Sequence, residues 1–231
     1  MYNHQDRHFT HRANWLRAAV LGANDGILST TSIVIGVAAA TPQRHAVVLA
    51  ALAGLVAGAS SMAAGEYVSV SSQTDVEESD LKREREELAN FPDDELQELA
   101  GIYRQRGLDE RLSMEVAMQL TAGNALEAHA RDELGINDMT SPKPLQAALA
   151  SAASFITGGI LPFMVALFAP IRGMVFWQYG FAIIFLAVSG AVAAKMGGSH
   201  RGKSILRICF WGTVAMATTA LVGWLFGTAV R

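Results

Sequence analysis

The chain has a single cysteine, Cys209, set in an apolar run; this excludes an intrachain disulfide and argues against a cysteine-based metal site. It has no basic patch interleaved with aromatics, so nucleic acid has no footprint here. No nucleophile stands with a base, and there is no nucleotide loop or redox-cofactor motif, which leaves an enzyme without machinery. Acidic residues are missing from most of the length: of 21 Asp and Glu, only three lie outside the stretch from Asp75 to Asp138. At the start, where His4, Arg7, His8, His11 and Arg12 precede the first apolar run, a short apolar segment ending in a cleavage site is absent. Residues 1–14 therefore read as a retained cytosolic tail.

What remains is apolar. With 51% hydrophobic residues and a mean hydropathy of +0.27 over 231 residues, the chain calls for a non-aqueous solvent. A helix needs roughly 20 mostly apolar residues to cross the hydrocarbon core. Five stretches qualify: Trp15 to Ala40, His45 to Val70, Leu145 to Pro170, Gly173 to Ala194 and Ser204 to Val230. The loops alternate in basic content. Arg7, Arg12 and Arg17 precede the first span, Arg44 alone follows it, Arg172 alone separates the third from the fourth, and Lys195, Arg201, Lys203 and Arg207 surround the fourth loop. The positive-inside rule then places the N-terminus and the acidic stretch in the cytosol.

The acidic stretch reads as charged helix. From Ser71 to Asn90 there is neither Pro nor Gly, so the second span continues as one long helix until Phe91-Pro92 stops it. Pro92 suits the first turn of a helix running to about Arg106, with Asp93, Asp94 and Glu95 at its electropositive end. Gly107 ends that helix, and a third runs from about Asp109 to Leu134 before Gly135 and Pro142-Lys143-Pro144. The expected fold is all-α and membrane-integral. Five transmembrane helices, in residues 15–72 and 144–231, carry a three-helix cytosolic domain, residues 73–143, inserted after the second.

Chemistry concentrates in two places. In the first span Asp25 is a carboxylate inside hydrocarbon, which by default faces a cavity or a partner; the alternative is a residue near the interface that snorkels or caps, with Arg17 two turns away. Gly26 would loosen the helix and expose carbonyls to a pathway. In the second span Met62 and Glu66 fall on one helix face. Thioether plus carboxylate suits Fe²⁺ better than Mg²⁺ or Ca²⁺, although Met62 taken alone reads first as a packing residue. Gly54, Ala57, Gly58, Ser61 and Gly65 form a small-residue stripe fit for a dimer seam or a tight pore.

In the cytosolic stretch, Glu84 and Glu87 lie three apart on one helix, as do Glu95 and Glu98 on the next. Folding back across Phe91-Pro92 brings both pairs toward one site, and His129 with Glu133 adds an imidazole and a carboxylate from the third helix. The expectation is a common point for the five Glu carboxylates with His129 at the rim. The bland alternative is a solvated face with Lys82, Arg83 and Arg85 as counterions.

The segments from Asp25 to Thr30 and from Ala57 to Ser69, with Gly158-Gly159-Ile160-Leu161-Pro162 in the third span, resemble the vacuolar iron transporter family, in its bacterial and nodulin-like branch. The resemblance covers nearly the whole chain. It implies a homodimeric exchanger that moves Fe²⁺, or Mn²⁺, out of the cytosol against protons, without a prosthetic group, with Asp25 and Met62 on the path. It also implies that Glu84, Glu87, Glu95, Glu98 and Glu133 gather metal, their spacing being similar to the family's metal-binding insert. Two departures stand out: His129-Ala130 replaces a Met pair found in other members, leaving Fe²⁺, Mn²⁺, Zn²⁺ and Co²⁺ all in play, and Gly54 stands where some members have an embedded Glu. A bacterial-looking chain of this kind belongs in a cytoplasmic membrane. The competing reading is a membrane-anchored metal sensor or buffer without transport.

Overall fold

The computed structural model describes residues 13–41, 43–136 and 142–229, with only backbone for 13–18 and 227–229. The His-bearing tail, the Arg17 side chain and Asp138 lie outside what is described. Among the described residues there are seven helices and no strand: α1 (Ala13–Ala40), α2 (Arg44–Asn90), α3 (Pro92–Gln105), α4 (Glu110–Asp132), α5 (Pro144–Phe168), α6 (Met174–Met196) and α7 (Arg201–Ala229). Five of them, α1, α2, α5, α6 and α7, are long and apolar enough to cross a bilayer. At 47 residues α2 extends about 70 Å, more than twice the hydrocarbon thickness. The chain separates into two compact units, residues 67–144 and the remainder, and α2 contributes to both.

In the apolar unit, Ile27 and Ile35 of α1 pack with Ala182 and Leu186 of α6 and Met216 of α7. A second cluster joins Val34, Val47, Ala51, Ala166 and Met174. Glycine sets how closely α1 and α5 approach: a Cβ on Gly26 would overlap the Phe155 carbonyl oxygen, and one on Gly158 the Ala23 carbonyl oxygen. Gly26 therefore does not loosen α1, which is helical throughout; its missing side chain admits the α5 backbone. The stripe on α2 is split in the same way. Gly54 meets Ile33 and Gly58 meets the Phe155 ring, while Ala57, Ser61 and Gly65 remain exposed. Arg44 closes the far end of α5, its guanidinium donating to the carbonyls of Leu167 and Ala169 at 2.6 Å each, where the last turn of a helix leaves acceptors unpaired.

In residues 67–144, Pro92 opens α3 with three acidic residues in its first turn, and Gly107 at φ +102° turns the chain just past its end. Asp109 caps α4 by accepting from the Leu112 N–H at 2.8 Å. Leu99 and Ala100 of α3 pack on Ala117 and Ala128 of α4, with Leu96, Tyr103, Met114 and Leu120 around them. The third helix differs from the single rod expected from Asp109 to Leu134. Its backbone leaves helical geometry at Asn124 (φ −155°, ψ 95°), so two helices meet there at an angle.

Candidate metal centre

Four side chains from three helices meet inside the unit of residues 67–144. Glu84 comes from α2, Glu95 from the first turn of α3, His129 from the last turns of α4 and Glu133 from the residue after it. One ligand atom from each lies within 4.8 Å of all the others. Three of them are buried to a degree unusual for such groups, at 3% exposure for Glu84, 7% for Glu95 and 0% for His129, while Glu133 is exposed at the edge. Neighbouring residues explain the depth: His129 sits between Ala128 and Ala130, both buried, and two methyl side chains let the backbone sink where larger ones would hold it out.

The imidazole faces the carboxylates with one nitrogen. His129 Nδ1 is 2.9 Å from Glu84 Oε1, 3.0 Å from Glu133 Oε2 and 3.7 Å from Glu95 Oε2. A single N–H cannot serve three carboxylates. Only the Glu133 contact is aligned as a hydrogen bond, and Glu84 Oε1 and His129 Nε2 are both buried without one. Burial and then the nearby Glu133 raise the Glu84 carboxyl to about 7, against the pull of His129; burial and then Glu98 raise Glu95 as well. Protons therefore occupy a cluster whose donor set of three carboxylate oxygens and one imidazole nitrogen suits a divalent transition ion.

The arrangement departs from the expected ring. His129 is at its centre and not at its rim. Glu87, half-buried, and Glu98, exposed, lie outside the four-group cluster and act on it as neighbouring charges.

Next to Glu133, Asp132 is tied to α3. Its carboxylate accepts from the Tyr103 hydroxyl, Arg106 Nη1 and Arg131 Nη2, each at 2.7 Å, and Arg106 Nη2 also reaches its carbonyl at 3.1 Å. Those donors outweigh its burial and hold it well below the usual carboxylate range. The tie to Tyr103 and Arg106 carried no signal in the sequence, since those partners lie 29 and 26 residues away.

The three span residues are arranged differently. Asp25 is exposed, and its one side-chain hydrogen bond among the described residues comes from Ser29, 2.7 Å away. The neighbouring Asn24 accepts from Ser189 of α6 at 2.7 Å. Met62 packs on Leu55, Ala59 and Phe155, and Glu66 is half-buried at the next turn of α2. No hydrogen bond joins Asp25 to Glu66 among the described residues.

Residues 16–224 match the model of the VIT family. The chain is 47% identical over 217 residues to a vacuolar iron transporter of Acanthamoeba castellanii, covering 94% of this chain and 80% of that one. It is 36% identical over 218 residues to VIT-like transporter 1b of Glycine max, covering 94% and 78%. With vacuolar iron transporter homolog 2 of Oryza sativa subsp. japonica it shares 35% over 221 residues, covering 94% and 93%. All three are eukaryotic, so they lend nothing to a bacterial cytoplasmic membrane as the location. The matched span takes in all five apolar helices and the carboxylate–imidazole cluster, and the chain belongs to the VIT family, a family of transporters and not of enzymes.

Proposed function

We propose that this chain is a multi-pass carrier that takes a divalent transition metal, Fe²⁺ first and Mn²⁺ second, out of the cytosol in exchange for protons. The observation that carries the reading is the meeting of the buried Glu84, Glu95 and His129 with the exposed Glu133, whose ligand atoms converge without enough hydrogens to satisfy them. The names of the relatives agree with iron as cargo. In this reading the cytosolic unit collects the ion, with Glu87 and Glu98 adding negative potential around it, and Asp25, Met62 and Glu66 line the membrane path. A carboxylate that accepts a metal must first lose its proton, so ion and proton compete for the same oxygens.

Asp25 supports two further parts of the proposal. An exposed carboxylate on an apolar helix is costly against lipid, and a second copy of the chain placed over α1 would cover it and enclose a polar route. That favours a homodimer. It also disfavours a mere anchored sensor, for which a carboxylate in a span serves no purpose. The test is metal uptake into sealed proteoliposomes under an imposed pH gradient, comparing Fe²⁺, Mn²⁺, Zn²⁺ and Co²⁺. Metal-dependent proton movement is the expected result, and binding without flux would leave a sensor or buffer.

A further inference from the structure

His129 and Glu133 do not ride on one straight helix. At Asn124 the chain breaks and restarts, and Asn124 caps the new segment: its Oδ1 accepts from the Glu127 N–H and its Nδ2 donates to Glu127 Oε2, both at 3.2 Å. This is a side-chain box of the kind that opens helices, placed inside one. Its effect is directional. On an unbroken helix, at about 100° per residue, His129 would point roughly 120° away from Ala117, the residue that faces α3. In the structure Ala128, His129 and Ala130 are all buried, so the restarted segment is enclosed on more than one side.

Residues 125–132 make about two turns, too few to hold helical form alone. The segment is fixed at both ends, at Asn124 by the cap and at Asp132 by Tyr103 and Arg106 of the α3 end. Between those fixed points lies His129, and immediately beyond them Glu133. We propose that Asn124 and Asp132 are positioning residues of the metal centre: they hold this short segment at the angle that aims His129 Nδ1 and the Glu133 carboxylate at Glu84 and Glu95 before an ion arrives. The proposal rests on the metal-centre reading above. Its physical content is that ligands of like charge spread apart unless the backbone bearing them is held, and residues behind the ligands then govern affinity without touching the ion.

The test uses the full chain in detergent with Mn²⁺ as probe. The free-ion EPR signal gives affinity, and the ¹⁴N modulation of bound Mn²⁺ in pulsed EPR reports the His129 ligand. Asn124→Ala should bind about tenfold more weakly and lose much of the ¹⁴N modulation while carboxylate coordination persists; Asn124→Ser, which restores a capping oxygen, should recover both. Tyr103→Phe removes one hydrogen bond to Asp132 without changing charge and should lower both readouts if Asn124→Ala does not fold. Wild-type affinity and modulation in Asn124→Ala and in Tyr103→Phe, or a Ser variant no better than Ala, overturns the proposal. A wild-type chain that binds no Mn²⁺, or whose binding survives His129→Ala together with Glu84→Gln, overturns the metal centre itself, and that arm is read before any positioning variant.

Discussion

His129 Nδ1 lies 2.9 Å from Glu84 Oε1, and both residues are almost sealed from solvent. A carboxyl and an imidazole have been placed where neither has water to satisfy it, with two more carboxylates beside them. An arrangement of that kind is stable only with protons or a cation in it.

The first prediction is a pH dependence. Glu84 in the fold titrates at about 7, against 4.5 in the absence of its surroundings. Between those values the folded, metal-free protein holds a proton that the unfolded chain has released, so its stability falls as pH rises through that window. An entering ion must displace the proton. Mn²⁺ affinity should therefore climb about tenfold per pH unit below pH 7 and level off above it. Calorimetry in two buffers of different ionisation enthalpy should show proton release at pH 6 that shrinks by pH 8; an affinity flat across this range would show that Glu84 does not hold the ion.

A second prediction separates stability from binding. Glu84→Gln keeps the shape and removes one of the mutually repelling buried charges, so at pH 8 the metal-free variant should unfold at a higher temperature than the parent. Mn²⁺ should raise the unfolding temperature of the parent and leave that of the variant nearly unchanged. A variant less stable than the parent without metal would mean that Glu84 is already satisfied in the fold.

The long α2, the stop at Phe91-Pro92 and the turn at Gly107 were legible because each depends on residues adjacent in the chain. The meeting of Glu84, Glu95 and Glu133 was partly legible, through spacings that set carboxylates on facing sides of consecutive helices. The central place of His129 was not, because it depends on the angle introduced at Asn124 and on the small residues flanking it. Asn124 did leave a local signal, a Gly123-Asn124 pair followed by Glu127, which a helix traced from composition alone passes over. The surroundings of Asp25 are illegible for a different reason: the packing of α1 on α5 through Gly26 and Gly158 is a long-range backbone contact, and it leaves the carboxylate exposed on a single chain.

The α1–α5 crossing yields a third prediction. A methyl group on Gly26 would meet the Phe155 carbonyl, a rigid backbone atom unable to move aside alone. Gly26→Ala should force the helices apart and destabilise the protein by about 1–3 kcal/mol. Gly65→Ala, where nothing lies within 4 Å of the new carbon, should leave an isolated chain as stable as the parent or up to about 1 kcal/mol more so, since Ala favours a helix interior over Gly. Thermal unfolding in detergent compares the two, and equal stability of Gly26→Ala and the parent would show that the close approach is not required.

The last prediction concerns how the work is divided between cluster and path. In the proposed function the ligands at the cluster raise the local concentration of metal, but water offers the ion another way to the membrane, so their loss should slow transport without ending it. Glu95→Ala should mainly raise the metal concentration needed for half-maximal flux. On the proposed membrane path Asp25 would have no such bypass, since the ion must give up its hydration shell there, and without a fixed negative charge the dehydration barrier returns. Asp25→Asn should therefore abolish metal-driven proton movement in oriented, sealed vesicles while Mn²⁺ binding at the cluster stays at the parent value. If Asp25→Asn transports at the parent rate, Asp25 lies off the path and the exposed face of α1 has another purpose, even with the cluster binding metal as proposed.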